Sequence, residues 1–75
     1  MLHEDLPQLP AESFTRKEVI RKIKSISSGI TLTGALFSML AAKYETHEEI
    51  SLRLENISVG LFLISNEMDT VILLI

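Results

Sequence analysis

Two short runs that combine histidine with acidic residues are the first candidates for chemistry, because these side chains bind metals. They are His3-Glu4-Asp5 near the start of the chain and His47-Glu48-Glu49 in its second half. A zinc site on a helix usually takes ligands four residues apart, but the residue four after His47 is Ser51. The two acids of the second run instead suit the start of a helix, where the helix dipole favours negative charge. The sequence therefore predicts no metal site.

Nucleophilic catalysis and phosphate binding find equally little support in the sequence. The chain has no cysteine, and no motif pairs either histidine with a serine. Its three glycines are isolated, and residues 29–34 lack the Gly-Lys-Ser/Thr ending of a phosphate-binding loop. We therefore predict a protein without catalytic residues and without a cofactor, which is not an enzyme.

Basic residues form one dense cluster. Five of the seven lysines and arginines fall between positions 16 and 24: Arg16, Lys17, Arg21, Lys22 and Lys24. Spacings of four and three put Lys17, Arg21 and Lys24 on one face of a helix. Such a face could contact nucleic-acid phosphates, dock on an acidic protein surface, or simply be solvated. The net charge of −3 makes nucleic acid the less favoured partner.

The N-terminal part of the chain predicts an arm followed by a well-defined helix start. Residues 1–13 are acidic and hold two prolines, so we expect a flexible arm ahead of a single helical domain at 14–75. The run Thr15-Arg16-Lys17-Glu18 fits a capping box, in which the first and last side chains each bind the other's backbone amide. The first helix is predicted at about 15–28, because Gly29 suits the residue that follows a helix C-terminus.

Two further helices complete an all-α, three-helix prediction. The second is expected at about 32–45, and the third and longest at about 47–72. Thr46 and Glu49 fit a second capping box at the start of the third helix. A serine every seven residues gives this helix a stripe of small side chains, which would let another backbone come close: Ser51, Ser58 and Ser65.

The third helix also carries a heptad pattern typical of a coiled-coil seam. Its apolar residues alternate steps of four and three: Ile50, Leu54, Ile57, Leu61, Ile64, Met68 and Val71. Other apolar residues lie off this seam, and one partner helix cannot cover both faces. A 75-residue chain without disulfides also has a marginal core. We therefore predict that the seam pairs two copies in a dimeric helical bundle, with a monomeric bundle as the alternative.

The hydrophobic stretches of the sequence suggest a cytoplasmic protein. No uninterrupted apolar run approaches the roughly 18 residues that mark a membrane span. Residues 61–75 come nearest, but Asn66, Glu67, Asp69 and Thr70 interrupt them. The first residues also lack the basic start and apolar run of a secretory signal. We therefore expect no membrane span, and we expect the final VILLI to be buried in the dimer.

The stretches EVIRKIKSI, LTGALFSMLAAKYE, THEE and ISLRLENISVGLFLI follow one another between residues 18 and 64. In this pattern, and most of all in FSMLAAKYETHEEI, the chain resembles the small enterobacterial regulators of biofilm formation and acid resistance, the AriR/YmgB type. The resemblance implies an all-helical dimer that connects to sensor-kinase signalling or transcriptional control. Where that family tends to place a basic or amide residue, this chain has Thr33-Gly34. The stretch GITLTGAL also resembles short two-helix proteins of unknown function from pseudomonads, which implies no activity.

These observations predict a small regulatory protein that acts through contact with another copy of itself and with an unidentified protein partner. By resemblance, the process would be biofilm formation or a stress response. Two alternatives stay open. One is a nucleoid-associated or DNA-contacting modulator that uses the basic face of the first helix, and the other is a phage- or plasmid-encoded inhibitor of a host protein.

Overall fold

The computed structural model describes residues 14–75, which form two long α-helices joined by a four-residue turn. Helix α1 spans Arg16–Lys43 and helix α2 spans Glu48–Leu74. The helices run antiparallel and contact each other along their length: Ser27 of α1 meets Ser65 of α2, and Arg16 reaches the Ile75 carbonyl at the end far from the turn. The prediction of an all-α protein is confirmed. The prediction of three helices is wrong, because the predicted first and second helices are one.

The predicted helix end at Ser27-Ser28-Gly29 lies in the middle of α1. Gly29 does not take the left-handed conformation of a helix terminus, since no glycine in the described part of the chain has a positive φ. Glycine inside a helix costs only about 1 kcal/mol relative to alanine. The hydroxyl of Ser27 bonds to Ser65 of α2 at 2.8 Å instead of competing for its own backbone. Packing against α2 along the whole of α1 therefore outweighs the local signal to stop.

The predicted capping box at the start of α1 is confirmed. The Glu18 amide donates to the Thr15 hydroxyl at 3.1 Å, and the Thr15 amide donates to Glu18 Oε1 at 3.0 Å. The bond from the Thr15 backbone is the main reason that the pKa of Glu18 lies below its ordinary value, with smaller contributions from the Thr15 hydroxyl, Arg21 and Lys22. The ionised carboxylate is thus the form that holds the helix start together.

The predicted capping box at the start of the last helix is wrong. His47, and not Thr46, occupies the cap position of α2, and it makes no side-chain bond to the helix amides. The Thr46 hydroxyl lies 3.3 Å from Nδ1 of His47 instead. The turn closes through the His47 amide, which donates to the Tyr44 carbonyl at 2.8 Å. Reversal of the chain within four residues therefore moves the helix start past the threonine.

Small residues line the contact between the helices at intervals of seven. They are Ser27, Gly34 and Ala41 on α1, and Ser51, Ser58 and Ser65 on α2, and we call these six residues the contact rows. Ser65 lies beside Ser27, Ser58 beside Gly34, and Ser51 beside Ala41. All of them are buried except Ser51, which is half-buried. The serine stripe predicted from the sequence is thus the side of α2 that packs on α1.

Serine and threonine hydroxyls form hydrogen bonds across this close contact between the helices. Ser58 donates to the Gly34 carbonyl at 2.8 Å, and Ser51 donates to the Ala41 carbonyl at 2.9 Å. Further from the turn, the Ser65 hydroxyl lies 2.7 Å from the Thr31 hydroxyl. No buried side-chain nitrogen or oxygen lacks a partner within residues 14–75. The interior of the hairpin is therefore small and polar, and among the described residues Ala41 is its one buried apolar side chain.

Candidate interaction face

The large apolar side chains lie outside the contact, beside the contact rows. Each residue advances a helix by about 100°, so the residue before each contact residue points to one flank of the hairpin. Because the helices are antiparallel, this rotation leads to the same flank on both. The residues at these positions are Ile26, Thr33 and Leu40 on α1, and Ile50, Ile57 and Ile64 on α2, and Val71 continues the α2 row seven residues after Ile64. They form the two outer rows of what we call the apolar face.

Two inner rows of the apolar face lie between the outer rows, four residues before each contact residue. Leaving aside His47 in the turn, these positions hold Ile23, Ile30 and Phe37 on α1 and Leu54 and Leu61 on α2. Met68 continues the α2 row seven residues after Leu61, and all six of these apolar residues are half-buried. Every residue of the outer rows is exposed, and every one except Thr33 is apolar. No position in the four rows is charged. The face therefore extends without a charge for almost the full length of the hairpin.

All seven residues predicted for the dimer seam belong to this face. The structure divides them into two groups with different surroundings. Leu54, Leu61 and Met68 pack partly against α1, whereas the remaining four are open to solvent at intervals of seven: Ile50, Ile57, Ile64 and Val71. Sequence reasoning did not identify the contribution of α1, namely Ile26 and Leu40. The matching seven-residue spacing of small residues on both helices is the signal that could have identified it.

The opposite flank of the hairpin is mixed in character. The residue after each contact residue points this way: Ser28, Ala35 and Ala42 on α1, and Leu52, Val59 and Asn66 on α2. The residues three before the contact rows also face this flank, and they include Lys24, Glu48 and Glu55; Asp69, four residues after Ser65, faces it as well. A shallow groove of about 590 Å³ lies here, lined in part by Lys24, Thr31 and Asp69. Only the first flank, therefore, is continuously apolar.

The basic cluster is partly occupied by contacts within the chain. Arg16 donates from Nε to the Ile75 carbonyl at 2.8 Å. The ammonium of Lys22 lies 5.5 Å from the centroid of the Phe14 ring, a cation–π distance. The spacing of Lys17, Arg21 and Lys24 on α1 leaves those three together towards the side away from the apolar face. All five basic residues of the cluster are exposed, and Arg16 and Lys22 are the two that also contact other parts of the chain.

The histidine-acid runs give no metal cluster in the part of the chain that the structure describes. His47 stands in the turn with its ring edge-on to Tyr44, at 6.0 Å between centroids. Glu49 forms an ion pair with Arg53 at 2.8 Å, one turn further along α2. The run at His3, with the whole predicted arm at 1–13, lies outside the described residues.

The expectation that no segment could cross a membrane is wrong. Both helices contain an 18-residue window that is long and apolar enough to do so, with a mean hydropathy of 1.4 in α1 and 1.6 in α2. The error came from requiring an unbroken apolar run. The long helix α1 joins two stretches that the sequence prediction kept apart, and residues 25–42 within it carry no charge.

The outer side of α1 adds to its apolar character, because Leu32, Leu36 and Met39 are exposed there, away from α2. The charge-free segment of α2 is shorter, at 56–66. The pairing of Ser27 with Ser65 and of Gly34 with Ser58 sets that segment beside residues 26–36 of α1. The band in which both helices are uncharged is therefore 11 residues long. At 1.5 Å per residue it measures about 16 Å, compared with about 30 Å for the hydrocarbon of a bilayer.

The final VILLI holds the two most exposed large apolar side chains among the described residues, Leu73 and Leu74, at 85% and 80% exposure. Val71 keeps to the outer row and Ile75, seven residues after Met68, keeps to the inner row, so two of the five residues continue the apolar face.

Comparison with known proteins adds no relative: no family model, no curated protein and no solved structure matches this chain.

Proposed function

We propose that this hairpin is a protein-interaction module that is not an enzyme and that pairs with a second copy of itself through the apolar face. One observation carries the proposal: the hairpin buries serine, glycine and alanine while it leaves large aliphatic side chains in solvent. Full burial of an exposed isoleucine, leucine or valine contributes about 1.5–3 kcal/mol, and six such residues line the outer rows. A second copy would therefore supply the apolar burial that a single hairpin lacks.

Regulation through contact is the role that we propose for this assembly, in the cytoplasm. The small size, the absence of catalytic and metal-binding motifs in the sequence, and the resemblance to short regulators of biofilm formation and acid resistance support that role. Contact with a further protein would then use surface that pairing leaves free, on the mixed flank or on the outer side of α1.

The test compares two matched substitutions on α2. Ile57 on the apolar face and Val59 on the opposite flank are 46% and 47% exposed and lie two residues apart. We expect Ile57→Asp to reduce self-association at least a hundredfold, because the carboxylate would enter an apolar interface without a partner. Val59→Asp should associate like the unsubstituted chain. Sedimentation equilibrium over a hundredfold range of concentration gives the three constants.

Folding and pairing are expected to be linked, so helicity is measured in the same samples. With little apolar burial of its own, a single hairpin should be marginally stable, and the melting temperature of the unsubstituted chain should rise with concentration. A chain that sediments as a stable monomer at every concentration would refute the proposal. Equal loss of association in both variants would show that pairing does not use the apolar face.

Membrane association is the second candidate, and the two apolar windows are the observation that favours it. Small residues in helix contacts, with serine hydroxyls bonded across them, are also the way in which membrane helices pair. Against this, the uncharged band common to both helices covers only about half the hydrocarbon thickness, as described above. For this reason we rank a protein partner first.

Flotation with liposomes of neutral and of anionic lipids distinguishes the two candidates. Recovery of the chain in the lipid fraction after extraction with alkaline carbonate would favour membrane insertion. Recovery as a dimer in the aqueous fraction would favour pairing through the apolar face.

A further inference from the structure

The outer side of α1, turned away from α2, combines apolar and basic side chains in one stripe. A residue two positions before or after a contact residue is rotated by about 200° from it and points away from the other helix. On α1 these positions hold exposed residues, namely Ser25, Gly29, Leu32, Leu36, Met39 and Lys43. Lys22 continues the row seven residues before Gly29 and is exposed as well. This outer stripe of α1 therefore has large apolar side chains towards its centre and a lysine at each end.

The corresponding outer stripe of α2 has a different composition. Its residues are Glu49, Arg53, Asn56, Gly60, Leu63 and Glu67. Arg53 forms an ion pair with Glu49 at 2.8 Å, so two acidic residues and one basic residue give this stripe a net negative charge. Leu63 is the one large apolar side chain among the six. The two outer sides of the hairpin thus differ both in the sign of their charge and in their apolar area.

Positive charge on α1 lies on the same side as its exposed apolar residues. Residues 19–44 contain four basic residues and no acidic one: Arg21, Lys22, Lys24 and Lys43. Glu18 lies on the outer side as well, but its carboxylate accepts from the Thr15 amide at 3.0 Å. The outer stripe of α2 lies on the opposite edge of the hairpin, about 20 Å away across two helix diameters. That separation exceeds the screening length of about 8 Å at physiological salt, so the acids of α2 do little to neutralise the stripe of α1.

We propose that the outer stripe of α1 binds the surface of an anionic lipid bilayer, with α1 lying parallel to the membrane. Leu32, Leu36 and Met39 would enter the boundary between headgroups and acyl chains. Lys22 and Lys43 would reach anionic headgroups through their long aliphatic stems. This inference goes beyond the proposed function, because pairing through the apolar face leaves the outer stripe free. It also differs from membrane insertion, since neither helix crosses the bilayer.

Two properties of the stripe favour a lipid surface over a protein as its occupant. Three large apolar side chains within about two turns of one helix are little area for a specific protein interface, which usually takes about 800 Å² from each partner. A bilayer needs no matching shape, and its negative charge adds to the apolar contribution, so that two weak attractions act together. The same negative surface would repel the outer stripe of α2. Charge therefore selects α1 as the side that faces the lipid.

Cosedimentation with large unilamellar vesicles tests the proposal. Vesicles of phosphatidylcholine are compared with vesicles that contain about 30% phosphatidylglycerol, in 50 mM sodium chloride. We expect the anionic vesicles to bind the chain at least tenfold more tightly, because each basic residue near the surface is attracted to it. Raising sodium chloride to 500 mM should weaken this binding about tenfold, since salt screens the attraction.

Matched leucine variants identify the side of the hairpin that binds. Leu32 and Leu63 are 65% and 63% exposed and lie on the outer stripes of α1 and α2. Leu32→Gln should weaken binding to anionic vesicles about five- to tenfold, because it removes apolar area from the contact. Leu63→Gln should bind like the unsubstituted chain. Lys22→Gln with Lys43→Gln should lose about tenfold or more. Circular dichroism in the same samples shows whether each variant keeps its helices.

Fluorescent labels locate the contact independently of affinity, because the chain has no native cysteine. Gly29 and Gly60 lie on the two outer stripes, and nothing lies within 4 Å of a Cβ added at either position. A polarity-sensitive fluorophore on Gly29→Cys should shift to shorter wavelength when anionic vesicles are added. The same fluorophore on Gly60→Cys should not shift.

Three outcomes would overturn the inference. The first is no binding to anionic vesicles in 50 mM salt, and the second is an equal shift at both labels. The third is equal binding to neutral and anionic vesicles that salt does not change, which would favour insertion. Self-association is measured without lipid, so each of these results leaves the proposed pairing intact.

Discussion

The two sides of α2 differ in the size of their side chains and in what they contact. The side towards α1 carries Ser51, Ser58 and Ser65, and it brings the backbones close enough for hydroxyls to reach carbonyls on the neighbouring helix. The outer row of the apolar face on the same helix carries Ile50, Ile57 and Ile64, which are exposed to water. The first surface holds two helices of one chain in register through short, directional bonds. The second offers apolar area without direction, which suits association between chains.

The comparison teaches that the most apolar stripe of a helix need not be the one that packs within its own chain. A row of isoleucines could have faced α1, with the serines outside. Small residues instead allow a close approach, in which the carbonyl of Gly34 becomes accessible to Ser58 at 2.8 Å. Directional bonds of this kind fix the register of α1 against α2. A contact between aliphatic side chains would not, because it has no preferred direction. Large side chains are thereby left free for other contacts.

The largest effect is expected at Gly34, because it lies where the helices are closest. A Cβ at this position would lie 3.3 Å from the Phe62 ring and 3.4 Å from Leu61 Cβ. Gly34→Leu should therefore force the helices apart and destabilise the hairpin by about 3 kcal/mol or more. Urea unfolding followed by circular dichroism measures this. Gly60→Leu is the matched control, since nothing lies within 4 Å of a Cβ there. Similar losses in both variants would contradict the close contact.

The next effect concerns the hydroxyl network around Ser65. Ser65 lies within 2.8 Å of both Ser27 and Thr31, and Ser27 also donates to Asp69 at 3.2 Å. Ser65→Ala should cost about 1–2 kcal/mol, because two partly or fully buried hydroxyls lose a partner. Ser28→Ala, on the exposed side of α1, should change stability by less than about 0.5 kcal/mol. Equal effects in unfolding experiments would show that the network does not stabilise the contact.

A gain in stability is expected where a glycine has no close neighbour. Gly60→Ala should stabilise α2 by up to about 1 kcal/mol, since alanine is the better helix former and the site is open. Gly34→Ala should not show this gain, because the nearby Phe62 ring must shift. The difference between the two alanine variants in thermal unfolding sharpens the contrast between the inner contact and the outer surface. A gain at both positions would argue against a tight inner contact.

The smallest effect is expected at the start of α1. Thr15→Ala removes the capping hydroxyl and should cost about 0.5–1 kcal/mol. The pH dependence follows from Glu18, whose pKa lies below the ordinary 4.5. A lowered pKa contributes stability that is present above 4.5 and is lost as the pH falls through the folded value. Helicity between pH 6 and pH 2 should therefore fall more in the unsubstituted chain than in Glu18→Gln. Parallel curves would contradict the capping role of the carboxylate.

Much of this architecture follows from spacing alone, and the remainder depends on which row faces the neighbouring helix. The capping box at Thr15 and Glu18 is a local arrangement, so the residues themselves are sufficient to predict it. The serine stripe and the isoleucine row were both visible as repeats of seven. Their assignment to inside and outside was not, because periodicity defines faces without saying what each face meets. The wrong break at Gly29 has the same origin, since only contact with α2 makes a helix through Ser27-Ser28-Gly29 favourable.

The bond from Arg16 to the Ile75 carbonyl has a practical consequence. It brings the start of α1 and the end of α2 together at the end of the hairpin opposite the turn, with 2.8 Å between Arg16 Nε and the Ile75 carbonyl oxygen. Neighbouring ends are the condition under which circular permutation is tolerated. A short linker could join position 75 to position 15, with new termini opened between Tyr44 and His47. Such a permuted chain would exchange the order of the two helices while it keeps every contact between them.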